Sequence, residues 1–285
     1  MWILFAFGSA FFAGITAILA KIGIKNTDSN LATALRTIVI LFFSWFMVWI
    51  TGAQHSMNAL TSKTILFLVL SGLATGMSWL CYFKALQLGN VNKVTPIDKS
   101  STILTMVLSM IFLGEAITGI KILCLLLIGA GTYMMIEKKA ETKKALDNRW
   151  LLYALGSAVF ASLTSILGKI GIQDVNSNLG TAIRTIIVLI MAWILVFITK
   201  KQGEIKEIDK KNWLFLILSG LATGMSWLCY YKALQDGPAS IVVPIDKLSI
   251  LLTIGFSYFI LKEELSRKSF AGLMLIVIGT LLLLI

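Results

Sequence analysis

The sequence predicts an all-α membrane protein with ten transmembrane helices, arranged as two inverted five-helix repeats. The first observation behind this prediction is composition: of 285 residues, 58% are apolar and only 14% are charged, whereas about a quarter of the residues in a soluble domain are charged. The second is an internal repetition, because LSGLATGMSWLCY occurs at 70–82 and again, unchanged, at 218–230. The third is the number of long apolar stretches.

Ten apolar stretches are each long enough to cross a hydrocarbon core, which requires roughly 20 residues of helix. We place them at 2–20, 31–51, 64–86, 94–113, 119–136, 150–170, 179–199, 212–234, 242–261 and 268–285. A bilayer satisfies backbone polar groups only in helices or closed barrels, and the alternation typical of barrel strands is absent, so we predict helices. The first stretch has no basic region before it and is longer than a signal-peptide core, which predicts a retained span.

The two halves of the chain are copies of each other at a constant offset of 148 residues. The offset relates Lys21 to Lys169, Arg36 to Arg184, Trp79 to Trp227, Pro96 to Pro244, Asp98 to Asp246, and Glu115 to Glu263. Such self-similarity indicates a tandem duplication. We therefore expect a first five-helix repeat at 1–136, a charged linker at 137–149 and a second repeat at 150–285.

An odd number of spans in each copy predicts that the second copy enters the membrane from the opposite side. The basic residues agree with this inversion: Lys63 alone lies between the second and third spans, whereas the equivalent connection contains Lys200, Lys201, Lys206, Lys210 and Lys211. By the positive-inside rule, the richer side is cytoplasmic and both termini lie outside. The formal net charge of +11 therefore reports topology, and we expect no nucleic-acid partner.

The strongest candidates for a binding site are charged residues repeated inside the predicted spans. VTPIDKSS and VVPIDKLS contain Asp98, Lys99, Asp246 and Lys247, and a charge at a helix centre costs about 2.5–3.5 kcal/mol on insertion scales. A proline beside each pair frees backbone N–H groups. Two interpretations remain open, a substrate cavity and charge pairing that holds the halves together. Consecutive helical residues point about 100° apart, so each aspartate is not expected to neutralise the lysine that follows it.

Hydroxyl and aromatic side chains extend this candidate site. Ser101 and Ser249 begin a stripe of hydroxyl residues on one helix face, and the repeated thirteen-residue stretch supplies the aromatic candidates Trp79, Tyr82, Trp227 and Tyr230. The aromatic side chains suit either cavity walls or anchors at the membrane interface. The glycines of the same stretch, spaced as Gly-x-x-x-Gly at Gly72 and Gly76 and again at Gly220 and Gly224, predict close helix packing.

Other charged residues receive structural interpretations. Arg36 and Arg184 lie one or two turns into their helices, from where they reach the interface by snorkelling. Glu115 and Glu263 close their spans and are expected to cap or pair locally. The three cysteines lack metal-ligand spacing, and no ATP-binding motif is present. We therefore expect no metal and no cofactor.

An arginine early in the second span of each copy (ATALRTIVI, GTAIRTIIV) and a glutamate closing the fourth (FLGE, ILKEE) complete a pattern of two five-helix units. This pattern resembles the drug/metabolite transporter superfamily, specifically its EamA-type domains. The resemblance implies a secondary transporter with a substrate cavity between the halves, and substrates that range over amino acids, nucleotide sugars, sugar phosphates and cationic drugs. It also implies cytoplasmic termini, in conflict with the charge distribution. The charged PIDK stretches depart from relatives that are apolar there.

We expect a secondary transporter that moves a small polar or charged metabolite by alternating access, with a coupling proton or an exchanged substrate. Opposite charges in both copies favour a zwitterion such as an amino acid. Organic anions, phosphate-bearing metabolites and organic cations or drugs remain alternatives, as does a channel or membrane scaffold. No nucleophile recurs with a base, so an enzyme is not expected. The expected location is the plasma membrane of a prokaryote, where a monomer is sufficient and an oligomer is compatible.

Overall fold

The computed structural model describes residues 1–23, 27–88, 94, 97–135, 149–261 and 266–285, and most of the predicted linker lies outside them. All regular secondary structure in these ranges is helical. Two 3-10 helices, Ala53–Ala59 and Gln202–Glu207, lie in connections. The α-helices are α1 (Trp2–Gly23), α2 (Ser29–Ile50), α3 (Ser62–Leu88), α4 (Ser101–Phe112), α5 (Gly119–Met134), α6 (Arg149–Gly171), α7 (Ser177–Thr199), α8 (Lys210–Asp236), α9 (Ala239–Lys247), α10 (Ser249–Leu261) and α11 (Arg267–Leu282).

Seven stretches of the described chain are long and apolar enough to cross a membrane. They correspond to the first, second, third and sixth to ninth expected spans, with the bounds Trp2–Ala20, Ser29–Ile50, Ser62–Leu88, Arg149–Gly171, Ser177–Thr199, Lys210–Asp236 and Ala239–Phe256. Shorter helices α4, α5 and α11 lie at the other three. Large apolar side chains point outward, such as Phe42 at 72% and Leu152 at 71% exposure. Lipid accommodates such a surface, so the chain is a multi-pass membrane protein.

Equivalent residues of the two halves cap equivalent helices. Asp28 accepts hydrogen bonds from the N–H groups of Asn30 and Leu31 at the start of α2, and Asn176 accepts one from Asn178 at the start of α7. Further caps, also 148 residues apart, are Thr61 with Asp209 and Thr118 with Ser266. Each cap satisfies backbone donors that have no partner within the helix. The helix starts are therefore encoded locally, once in each copy.

The halves pack against each other through antiparallel helix pairs, in each of which a helix of one half contacts a helix of the other half. Helix α1 packs on α8, and the equivalent pair is α6 on α3. Ser9 of α1 contacts Ser226 of α8, and Thr16, further along α1, contacts Thr223, which is earlier in α8. Helix α2 likewise runs antiparallel to α7, since Thr51 after its end accepts a hydrogen bond from Asn178 at the start of α7. Helices α5 and α11 form another pair.

The repeated glycines allow further close contacts between the halves. A Cβ atom at Gly72 of α3 would lie 2.7 Å from Cβ of Ile187 on α7, and one at Gly220 of α8 would lie 2.8 Å from Cβ of Val39 on α2. Gly76 and Gly224 make the next contacts along the same interfaces. Only a residue without a side chain permits this approach, as the Gly-x-x-x-Gly spacing predicts.

The ninth span is interrupted where its charged residues lie. Helix α9 contains Pro244 and ends at Lys247, Leu248 forms a turn, and α10 begins at Ser249. The first half has the same interruption at Ser100, between a helical turn that ends at Lys99 and the start of α4; Pro96 lies outside the described residues. Broken helices expose backbone polar groups, and in membrane proteins these breaks occur beside binding cavities.

Candidate functional site

Both aspartates are held by serines from the opposite half of the chain. Oδ1 of Asp246 accepts a 2.6 Å hydrogen bond from Ser9, and Oδ1 of Asp98 accepts a 2.7 Å bond from Ser157. Ser9 and Ser157 occupy equivalent positions, 148 residues apart. Each of these serines also accepts a hydrogen bond at its backbone carbonyl, from Ser226 and Ser78 respectively. The same Asp–Ser–Ser cluster therefore occurs twice, each time across the interface between the halves.

The lysines beside these aspartates are surface-accessible. Nζ of Lys247 lies 3.6 Å from Oδ2 of Asp246, so the expectation that neighbouring charges do not pair is wrong for this copy. The helix ends at Lys247, and the long lysine side chain folds back onto the preceding residue. Lys99 is accessible although protein surrounds it, and the charges of Lys247, Asp98 and Asp246 act on it. The four charged candidates thus form one group at the junction of the halves.

A cavity of about 210 Å³ brings together the two tryptophan candidates. Its lining consists of Thr33, Arg36, Thr37, Ile40, Trp79, Phe83, Thr223 and Trp227. Trp79 and Trp227 are equivalent positions of the two copies. Because the lining includes residues from each copy, the cavity is built by both halves, on helices α2, α3 and α8.

The two repeated arginines differ in their surroundings. Arg184 is 2% exposed, and its guanidinium donates to Thr75 at 2.6 Å and to Ser71 at 3.3 Å. The same group lies 5.3 Å from the ring centre of Trp227 and 4.7 Å from that of Tyr231. Snorkelling to the membrane surface, the prediction for this residue, is therefore wrong. The protein itself provides the hydrogen-bond acceptors and aromatic rings that this charged group needs and that lipid lacks.

Arg36 lines the cavity instead of filling a closed site. Its Nη2 donates to Thr223 at 2.8 Å, the equivalent of the bond from Arg184 to Thr75. Its Nε is buried and has no hydrogen-bond partner among the described residues. The side chain as a whole is half-buried. Snorkelling is wrong for Arg36 as well, because its guanidinium faces the protein interior.

Glu115 joins the two halves at one end of the molecule. Its carboxylate accepts hydrogen bonds from the N–H groups of Ala239 at 2.5 Å and Ser240 at 3.0 Å. Ala239 and Ser240 are the first two residues of α9. The residue at its N-cap position is Pro238, whose side chain cannot accept a hydrogen bond. Glu115 also lies 3.9 Å from Nζ of Lys169. The prediction that Glu115 caps or pairs locally is therefore wrong for the cap, because the capped helix belongs to the other half, whereas its pair with Lys121 is local.

More contacts close the same end. Lys169 donates a hydrogen bond to the carbonyl of Gly237, and Lys121 lies 4.0 Å from Glu115. The side-chain amide of Gln235 donates to the carbonyls of Ile172 and Val175, between α6 and α7. We call Glu115 with Lys169 and the start of α9 the clasp. Its expected counterpart at Glu263 lies outside the described residues.

The remaining candidates are half-buried around these features. The hydroxyl of Tyr230 lies 2.7 Å from that of Ser165, and Tyr82 is on α3, three residues after Trp79. The carbonyls of Ser101 and Ser249 accept hydrogen bonds from Thr105 and Thr253, one turn along the same helices. Part of the predicted hydroxyl stripe is therefore used to satisfy helix backbone.

Sequence reasoning missed Ser9, Ser157 and Tyr231. The first two occur in the repeated tripeptide Gly-Ser-Ala, at 8–10 and 156–158, which could have identified them as a conserved feature of the duplication. Nothing local distinguishes a serine that contacts an aspartate from one that bonds its own helix. Tyr231 replaces Phe83 of the first copy, and that difference was the available signal.

Within the described part of the chain, no three His, Cys, Asp or Glu side chains lie close enough to share a metal ion. Cys81 and Cys229 are half-buried and Cys124 is buried, all as free thiols.

Apolar helices long enough to span a membrane, with a cavity between them, define the class as a multi-pass membrane protein. The family model of the EamA-like transporter family matches residues 1–137 and 148–285, so the chain belongs to the EamA-like transporter family. This membership confirms the resemblance found in the sequence, is consistent with the drug/metabolite transporter superfamily, and indicates a transporter and not an enzyme.

The names of three similar proteins mention no substrate. "Uncharacterized transporter in cobO 3'region" from Sinorhizobium sp. is 42% identical over 138 residues, which are 48% of this chain and 98% of that protein. "Uncharacterized protein MJ1333.1" from Methanocaldococcus jannaschii is 30% identical over 47% of this chain and 94% of its own length. "Uncharacterized transporter sll1164" from Synechocystis sp. is 24% identical over 80% of this chain and 68% of its own length.

A solved structure described as "Crystal structure of protein" has the same fold. Its TM-score to this chain is 0.79 at 16% sequence identity, and the match covers 98% of this chain and 96% of the other. At that identity the likeness concerns the arrangement of the helices, and the side chains of the site are those of this chain alone.

Proposed function

We propose that this protein is a secondary transporter that moves a small polar or charged metabolite by alternating access. The observation that carries the proposal is the cavity shared by Trp79 and Trp227, because equivalent residues of two copies meet at one place near their common axis. Inverted-repeat transporters bind their substrates at such an axis, where either half can close over the site.

The proposed architecture is ten transmembrane helices in two inverted five-helix repeats. Antiparallel packing of α1 on α8, of α6 on α3 and of α2 on α7 supports the inversion, since these pairs join the halves. Two of the similar proteins provide independent support. Each is about as long as one half of this chain, which is expected if five helices form a structural unit.

The charged group at the junction provides the polar part of the proposed site. Asp98 and Asp246 are candidates for exchanging a coupling proton or contacting a substrate amine, and Lys99 and Lys247 for attracting an anionic group. A zwitterion such as an amino acid would satisfy both signs. Ser101 and Ser249 begin the helices that follow the two breaks, α4 and α10, and Tyr82 and Tyr230 lie on α3 and α8; these four residues complete the proposed lining.

The clasp supports a conformational role for one end of the molecule. Arg184 lies near the start of α7 and the clasp holds the end of α6, so both belong to one end. Arg36 belongs to the other end, because α2 runs antiparallel to α7. The proposed cycle requires the clasp to open and the Arg36 end to close. Access to the cavity then changes from one face of the membrane to the other.

The proposed location is the plasma membrane of a prokaryote, and the basic connections favour termini outside the cell. Partners are the small-molecule substrate, a coupling proton or exchanged substrate, and the bilayer. A monomer is sufficient to form the cavity, and an oligomer is compatible with it.

The experiment that tests this function is counterflow in proteoliposomes of the full chain, after a thermal-shift screen of metabolites across pH has selected a solute. We expect saturable exchange that falls at least about 10-fold in Asp98→Asn and Asp246→Asn. Asp236→Asn is the matched control, since Asp236 pairs with Lys232 near the end of α8. Uptake without counterflow would instead indicate a channel, and absence of movement for every solute a scaffold.

A further inference from the structure

The most informative unexplained group in the molecule is the guanidinium of Arg36. Its Nη2 donates one hydrogen bond to Thr223, and its buried Nε has no hydrogen-bond partner among the described residues. A buried charged donor without a partner is costly, by about 1–3 kcal/mol or more. Such a group is explained if a ligand that is absent from the structure provides the missing acceptor.

The equivalent arginine shows what is missing. Nε of Arg184 donates to Ser71, and two aromatic rings flank its guanidinium. The residue equivalent to Ser71 is Ser219, whose hydroxyl donates to the carbonyl of Leu216 in its own helix. Among the described residues, the serine that accepts from one arginine thus has a counterpart that does not accept from the other, and the arginine with the unpartnered Nε is the one that lines the cavity.

The chemistry of the cavity restricts the ligand. Arg36 is the one charged residue among the described side chains that line it, beside three threonines, two tryptophans, a phenylalanine and an isoleucine. An anionic group is therefore attracted and a cation is repelled. Its volume of about 210 Å³ lies below the roughly 300–1,000 Å³ of sites for drug-sized ligands. The cavity suits a small metabolite with an apolar or aromatic part.

We propose that Arg36 binds the carboxylate of a small organic acid, whose apolar part lies against Trp79 and Trp227. This inference rests on the proposed transport function and assigns its substrate class. A planar guanidinium matches a carboxylate with two parallel hydrogen bonds. The hydroxyls of Thr33, Thr37 and Thr223 lie within the same lining and are available to the second carboxylate oxygen or to a substituent.

A carboxylate fits this cavity better than a phosphate ester or an organic cation. A phosphate group carries more charge and more acceptors than a single guanidinium satisfies in an otherwise uncharged lining. A cation would need an acidic side chain, and the lining residues of the described chain include none.

The test uses the purified full chain in detergent, with binding measured by tryptophan fluorescence and by thermal shift. The probes are benzoate, its neutral isostere benzamide, the cation benzylamine and inorganic phosphate. We expect benzoate alone to bind, and its affinity to fall at least about 10-fold in Arg36→Gln. Arg36→Lys should lose part of the affinity, because lysine keeps the charge and lacks the fork. Arg267→Gln is the charge-matched control, on an exposed residue at the start of α11.

Several outcomes would overturn the inference. They are equal benzoate binding by Arg36→Gln and the unaltered chain, equal binding of benzamide and benzoate, and preferred binding of phosphate or benzylamine. If Arg36→Gln does not fold, Thr223→Val decides: it keeps the arginine, removes the hydroxyl that positions it and should weaken benzoate binding several-fold. An unaltered affinity in that variant and in Arg36→Lys argues against the site.

The same experiments separate this inference from the proposed function. Counterflow of a solute without a carboxylate, together with no benzoate binding, removes the Arg36 site and leaves the transporter. Benzoate binding that depends on Arg36, in proteoliposomes that exchange no solute, preserves the site and removes transport.

Discussion

Arg36 and Arg184 entered the chain as copies of one residue and now have different surroundings. Arg184 is enclosed by two hydroxyl acceptors and two aromatic rings. Arg36 keeps one of these hydrogen bonds and borders a cavity. The same residue is thus enclosed toward one end of the molecule and lines a cavity toward the other.

The difference teaches how a duplicated chain becomes asymmetric. Tyr231, whose ring lies 4.7 Å from the guanidinium of Arg184, carries a hydroxyl, whereas the equivalent residue Phe83 lacks that group. Part of the asymmetry is therefore written in the sequence. Under the alternating access that we propose, the rest is conformational, with one end of the transporter closed and the other available.

The largest expected effect is a difference in protein stability between substitutions of the two arginines. Arg184→Gln should lower the free energy of unfolding by about 3 kcal/mol or more, because it removes two hydrogen bonds from a charged donor and its contacts with two rings. Arg36→Gln should cost about 1.5 kcal/mol, since one such bond is lost. Unfolding in mixed detergent micelles measures both. Equal losses would end the distinction between a closed and a ligand-facing arginine.

The next effect concerns the clasp at the Arg184 end. Glu115→Gln should weaken the cap of α9, with a loss of about 1.5–3 kcal/mol for hydrogen bonds to a charged acceptor. Hydrogen exchange at the amides of Ala239 and Ser240 should then accelerate about 10-fold or more. Unchanged protection of these amides would show that α9 begins stably without Glu115. Glu204→Gln, on a surface pair with Lys201, is a control that should leave them unaffected.

A smaller pair of changes tests whether the copies are equivalent at the aspartates. Ser9→Ala and Ser157→Ala each remove one hydrogen bond to a carboxylate and should each cost about 1.5 kcal/mol. We expect both to reduce exchange of the selected solute to a similar extent. If one serine matters and the other does not, the asymmetry seen at the arginines extends to the junction of the halves. Ser62→Ala, at the start of α3, serves as a control.

The smallest effect is expected from exchanging the hydroxyl by which the surroundings of the two arginines differ in sequence, at Tyr231 and Phe83. Tyr231→Phe removes a hydroxyl from a buried side chain that packs on the Arg184 guanidinium, and should lower the free energy of unfolding by about 1 kcal/mol. Phe83→Tyr places the hydroxyl beside the cavity and should weaken binding of benzoate. Thermal unfolding and benzoate titration measure the two changes. Tighter benzoate binding in Phe83→Tyr would show that the cavity needs another donor.

Much of the fold was predictable because lipid imposes simple rules. The length of the apolar stretches identified the spans that form α1, α2, α3 and α6 to α8. The constant offset of 148 residues also relates the helix caps Asp28 and Asn176 to each other. The site was less predictable. Asp98 and Asp246 were identified by the cost of placing a charge in a span, whereas their partners Ser9 and Ser157 come from distant helices.

By itself, the sequence determined that this chain crosses a membrane several times, that it is a duplicated EamA-like unit, and which charged residues need an explanation. Apolar composition, periodic spans and an offset are properties of neighbouring residues or of direct comparison, so no coordinates are needed to find them. Only the tertiary structure decided that Arg184 is enclosed, that Arg36 faces a cavity and that Glu115 caps a helix of the other half. These outcomes depend on which acceptors come within about 3 Å of a charged group, and packing across the interface sets that distance.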